Sequence, residues 1–272
     1  LIPSLQLATP LTELEQLRLN DPAAAVGLEP VGPDGLSWLA RNGSRRGQGV
    51  YYNPLDPRVQ DAIRRLVQEV VERYGQHPSF AGLLLNLQPE SYLLLPDELA
   101  SLDDVTIARF AREEGLSLPT LGPQRFAERA KLLRGEHQAA WLKWRALQLT
   151  KFQEQLQRQV QQQRPGAKLI LAGGELFADR QVQQIARPTL PAKRPSVGPL
   201  MHLGLQPAAA NSTHTPLFPR PERFAPNAPL GLSELLQQWN ESAEIDAWFP
   251  RSSHVFLLHD PAPLRLASFD EL

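Results

Sequence analysis

The stretch Gly47–Gln60 (GQGVYYNPLDPRVQ) carries an aromatic, extended segment through a short polar turn into a proline-initiated helix. Asp56 has the side chain to cap that helix. Pro57 suits its first position, where a backbone N–H would lack an intrahelical partner anyway. Val59, Ile63, Leu66, Val67, Val70 and Tyr74 then recur at three- and four-residue steps and predict one apolar stripe. Gly75 ends the pattern and Pro78 forbids its continuation. The next run, SFAGLLLNL from Ser79 to Leu87, reads as a buried strand with Asn86, Gln88 and Glu90 around its end. An amphipathic helix feeding a buried strand, with polar groups where the strand stops, is the repeating unit of a βα barrel.

Similar punctuation extends along the chain. Leu1–Leu7 predicts a strand, Thr12–Leu17 a short helix, and the neighbourhood of Trp38 another. Leu93–Leu95 predicts the wall of a loop. Asp103 caps a helix expected to run through Glu114 and stop at Gly115, with Val105, Ile107, Ala108 and Ala111 partly inward. Gln124–Leu133 reads as helix, and Gln138–Gln163 as the longest one. Leu142, Ala146, Leu149, Phe152, Leu156 and Val160 mark its buried face, widened by Trp141 and Trp144. Lys168–Ala172 (KLILA), Leu200–Leu205 (LMHLGL) and His254–Leu258 (HVFLL) read as strands. Residues 207–230, rich in Pro, Asn, Ser and Thr, read as a long surface loop. Strands alternating with helices predict an α/β fold with a parallel sheet.

The fold class expected is therefore a TIM-barrel-like (β/α)8 architecture. The strands are too few to close eight, and 26 prolines leave much of the chain as loop, so a partial barrel in a single domain over 1–272 is expected. The chain opens on Leu and closes on SFDEL without a finishing element, which predicts an excerpt of a longer frame. Export would follow if that frame carries a signal peptide. A net charge of -1 argues against a nucleic-acid surface. No apolar run reaches the roughly 20 residues that span a bilayer. The absence of cysteine removes thiol nucleophiles and thiolate metal sites.

YYNPLDPRVQ with its helix resembles the glycoside-hydrolase-like barrels, including the family 10 glycosylhydrolase group and, more distantly, the β-galactosidase barrels. HPSFAGLLL, DDVTIARFAREEG, RFAERAKLL, WLKWRALQL and HDPAPLRLASFDEL are similar to runs in bacterial, planctomycete-type proteins of that kind. The resemblance covers most of 1–174, thins through the proline-rich stretch and returns at the C-terminus. It implies hydrolysis of an O-glycosidic bond in an oligo- or polysaccharide by two carboxyl groups at the barrel mouth. It also implies an Asn–Glu pair after the fourth strand. Here Asn86 is followed by Leu87, and the nearest glutamate is Glu90.

Glycoside hydrolysis needs one carboxyl group to protonate the leaving oxygen and another to attack or to activate water. Glu90 is the expected proton donor, with Glu175 or Asp260 as the second group. The bland alternative is that each is a solvated loop carboxylate. Tyr52, Asn53, Asn86, Gln88 and His259 are the expected sugar contacts, since amides bond hydroxyls and aromatic faces stack on sugar rings. Tyr51 belongs to the same turn, which reads equally as a packed turn, and Asp56 reads foremost as a helix cap. Trp141, Trp144 and Arg145 read as helix packing. His202, His254 and His259 lie near strand ends without tight ligand spacing, so no metal or cofactor is expected. The rival reading is a non-catalytic carbohydrate-binding or scaffolding barrel within a larger exported protein.

Overall fold

The computed structural model describes residues 1–43, 51–88, 91–173, 198–206 and 216. Three strands, β1 (Ser4–Gln6), β2 (Gly82–Asn86) and β3 (Lys168–Ala172), form a parallel sheet in sequence order. The register pairs Gln6 with Asn86 and Asn86 with Ala172, so the three carboxyl ends lie side by side. Helices α1 (Thr12–Asn20), α2 (Trp38–Asn42) and α3 (Pro57–Tyr74) fall between β1 and β2. Helices α4 (Asp104–Glu114), α5 (Arg125–Arg134) and α6 (Gln138–Gln163) fall between β2 and β3. Gly82 is obligatory where β2 meets β3, because any Cβ there would collide with the Lys168 carbonyl.

Alternation along the strands gives the sheet two different faces. Leu83, Leu85, Leu169 and Leu171 join a core built with α3 and with Phe152, Leu156 and Val160 of α6. Leu84, Ile170 and Ala172 form a smaller cluster on the opposite face. A second large core gathers Phe110 of α4, Leu133 of α5 and Trp141, Trp144 and Leu149 of α6. Helix α6 therefore serves both large cores, its first half in one and its second half in the other.

Several expectations meet their elements directly. Asp56 caps α3, its carboxylate accepting from the Arg58 N–H at 2.8 Å. Asp103 caps α4, and Gly115 ends it in the left-handed conformation at φ 68°. Trp141 and Trp144 stack in the interior at 5.7 Å, with the Phe110 ring edge-on to both. Leu93, Leu94 and Leu95 are buried as a loop wall.

Other details differ. On α3 the innermost positions are Val59, Ala62, Ile63, Val67 and Val71, while Tyr74 is exposed. The 3.6-residue period carries the stripe toward Val71 by the helix's end. On α4 the buried residues are Thr106, Ile107 and Phe110, and Val105 is exposed. Leu200–Leu205 is not a strand: Gly198–Leu203 forms a 3-10 helix. Leu200 and Leu203 are both buried, a three-residue spacing that suits this helix and not a two-residue pleat. His254–Leu258 and the loop expected over 207–230 lie outside the described residues, apart from Pro216. No described helix is long and apolar enough to cross a membrane.

Candidate functional site

Parallel strands deliver their last residues to one edge, and here that edge carries amides. The Gln6 side-chain amide donates to the Gln88 side-chain oxygen Oε1, linking the ends of β1 and β2. On β2, the Asn86 amide donates to the Ser4 hydroxyl at 3.0 Å. Backbone bonds carry the connection beyond the strands. Leu87 N–H donates to Ala172 O at 2.8 Å, and Tyr92 N–H donates to Leu7 O at 3.1 Å. The segment after β2 is thus fastened to the tails of both neighbouring strands.

The same segment is fastened from the side by α6. Arg145 is wholly buried and donates to the carbonyls of Glu98, Asp97 and His202, the latter two at 2.6 and 2.9 Å. Burial pushes its guanidinium down to about 10, against the pull of Asp97 and Glu98. Leu95 N–H donates to Leu203 O at 3.0 Å, so the segment after β2 meets the 3-10 helix directly as well. His202 Nδ1 lies 3.6 Å from a Glu98 carboxylate oxygen.

Tyr52 and Asn53, expected as sugar contacts, have interior work. Tyr52 is fully buried, and its hydroxyl lies 2.7 Å from a Glu15 carboxylate oxygen and accepts the Leu11 N–H at 3.0 Å. Burial and the neighbouring carboxylate raise the phenol's pKa. Asn53 is also fully buried; its amide nitrogen lies 3.1 to 3.2 Å from Gly27 O, Asp103 Oδ2 and Thr106 Oγ1. Its carbonyl oxygen accepts from the Leu55 N–H and the Ser101 hydroxyl. Neither side chain reaches the surface. Burial raises the Asp103 carboxyl to about 7, the bond from Thr106 N–H opposing it.

Asn86 and Gln88 stand at the sheet's carboxyl edge, Asn86 partly exposed and Gln88 buried. Glu90, Glu175, His259 and Asp260 lie outside the described residues, as does His254. Among the described residues no three His, Asp or Glu side chains converge as a cation site requires.

Gln6 and Arg145 were missed as parts of this region. Gln6 had a signal in its position at the end of the first strand. Arg145 had none beyond its place beside Trp141 and Trp144.

No protein-family model matches the chain, and no curated protein matches it. It is similar to part of a solved β-galactosidase from the psychrophilic Marinomonas ef1, with 16% identity and a TM-score of 0.36. The similarity covers 61% of this chain and 26% of that one, so this chain spans about a quarter of that enzyme's length.

Proposed function

We propose that this chain is a glycoside-hydrolase-like barrel protein that cleaves an O-glycosidic bond at the carboxyl edge of its parallel sheet. One observation carries the reading: β2 and β3 are adjacent and in register, Asn86 opposite Ala172, so the chain leaves the sheet at neighbouring points. Glu90 follows Asn86 by four residues and Glu175 follows Ala172 by three. Neighbouring parallel strands lie about 4.8 Å apart, and a glycosidase needs its carboxyl groups roughly 5 to 10 Å apart.

In this reading Glu90, protonated, gives its proton to the glycosidic oxygen as the bond to the anomeric carbon breaks. The carboxylate of Glu175, or of Asp260 from the chain's end, attacks that carbon or takes a proton from the attacking water. Asn86 and Gln88 at the edge, with Gln6 bonded to Gln88, supply amides suited to sugar hydroxyls, and His259 joins them. Tyr52 and Asn53 act behind this rim by holding the turn before α3.

Hydrolysis of a panel of aryl-glycosides and oligosaccharides tests the proposal, with Glu90→Gln and Glu175→Gln as variants. Turnover by the parent chain, reduced about 10²- to 10⁴-fold in Glu90→Gln, is the expected result. Unchanged turnover in that variant removes Glu90 from the role. Oligosaccharide binding without any turnover replaces the hydrolase with a binding protein.

A further inference from the structure

A cleft of about 440 Å³ runs between α3 and α6, lined by those two helices. Arg64, Arg65 and Gln68 come from α3, and Gln155, Arg158 and Gln159 from α6. Among the described residues lining it, Asp61 alone is acidic, and two further carboxylates, Glu13 and Glu154, reach the arginines from outside the lining. The cleft's arginines pair with Asp61, with Glu13 at 2.6 Å and with Glu154 at 3.8 Å. All three keep about half or more of their side-chain surface in water, where such pairs contribute little and exchange readily. The wall itself is fixed: the Gln159 amide donates to the Arg64 carbonyl at 2.8 Å, bridging the helices.

We infer that this cleft binds an anionic oligosaccharide, its sulfate or carboxylate groups held by Arg64, Arg65 and Arg158. A guanidinium presents paired N–H donors that match two oxygens of a sulfate or carboxylate. Glutamine amides both donate and accept, which matches the hydroxyls of a sugar ring. Among the described residues no aromatic ring lines the cleft, so a nucleobase finds nothing there to stack on. The chain's net charge of -1 also disfavours a long polyanion, whereas the cleft's volume is that of a small-molecule site. The inference is independent of the hydrolase reading, because the cleft is walled by helix side chains and takes no residue from the sheet.

Calorimetric titration of the whole chain tests it, using a chondroitin sulfate tetrasaccharide, neutral cellotetraose and inorganic sulfate as separate probes. The sulfated tetrasaccharide is expected to bind, more weakly as salt rises, and at least tenfold more tightly than either other probe. The double variant Arg64→Gln, Arg158→Gln is expected to lose at least tenfold in affinity. Arg112→Gln on α4, which removes a charge outside the cleft, is expected to change nothing. Four results overturn the inference: no binding by the parent chain, sulfate binding as tightly as the tetrasaccharide, cellotetraose binding equally well, or Arg112→Gln matching the loss of the double variant.

Discussion

The side-chain amide of Asn53 donates to the buried carboxylate of Asp103 at 3.2 Å, fifty residues away in the chain. The other Asp103 oxygen caps α4 through the Thr106 N–H at 2.9 Å. The two residues thereby lock the turn that starts α3 to the turn that starts α4, with Gly27 O and the Ser101 hydroxyl bound to the same amide group. Asn53→Ala leaves several buried polar groups without partners. A loss of about 2 to 3 kcal/mol in denaturant unfolding is expected. A change under about 0.5 kcal/mol, the range of ordinary surface substitutions, would refute this account of Asn53.

Asp103 also gives stability a pH dependence with a defined sign. Its carboxyl ordinarily titrates near 3.8 and is raised to about 7 in the fold, chiefly by burial. Between those values the folded chain holds a proton that the unfolded chain releases. Stability from this group is therefore fully present below about pH 4, falls as pH rises toward 7, and levels off above. The shift sets a ceiling on the order of 4 kcal/mol. Asp104, held low by Arg125 and Arg129, works the other way, and its contribution is lost only as pH falls below the usual carboxylate range. Unfolding midpoints at pH 4.5, 6 and 7.5 should decline in the parent chain and flatten in Asp103→Asn. A parallel decline in both chains would remove Asp103 as the source.

Arg145 illustrates a buried cation used as a brace. Its donors serve three backbone carbonyls, two in the segment after β2 and one in the 3-10 helix, and its charge lies over the Trp141 ring at 5.2 Å. Arg145→Met keeps much of the volume but strands those carbonyls, and about 3 kcal/mol of destabilisation is expected by thermal or chemical unfolding. Arg145→Lys should recover only part of the loss, since one ammonium does not reproduce a planar fork. Full recovery by lysine would show that charge alone matters.

Gln157 of α6 completes the edge of β3. Its amide oxygen accepts the Leu169 N–H at 2.6 Å, and its amide nitrogen donates to Ala167 O at 3.2 Å. A helix side chain here satisfies strand groups that a neighbouring strand would otherwise bond. Gln157→Leu is expected to cost about 2 kcal/mol and to speed hydrogen exchange at Leu169 ahead of Ile170, whose N–H faces β2 in the parallel register. Equal exchange at both positions in the variant would contradict this.

Much of the fold was legible because its signals are local. Proline after a capping aspartate, glycine after the last apolar turn and an unbroken leucine run each report on a few neighbouring residues. The starts of α3 and α4, the full span of α6 and the limits of β3 follow from them. Tertiary demands were not legible in this way. Asn53 looked like a sugar contact because its residue type suits hydroxyls, yet the fold spends its amide on Gly27, Asp103 and Thr106. Gln157 sits in a glutamine-rich helix where nothing local separates the buried brace from its exposed neighbours. Leu200–Leu205 has a strand's composition, but the buried spacing of Leu200 and Leu203 fits a tight helical turn. For the candidate site, Asn86 and Gln88 were readable from the strand's end, while the Gln6 partnership depends on β1 lying beside β2.

Helix α6 passes from the aromatic core around Trp141 and Trp144 into the aliphatic core under the sheet. A single rod seated in two bodies ties their fates together. Loosening around Phe110 reaches the strands through a change in the rod's seating, and a substitution beneath β3 is felt among the tryptophans. The fluorescence of Trp141 and Trp144 should therefore report the melting of both ends in one transition, even though neither ring belongs to the core under the sheet.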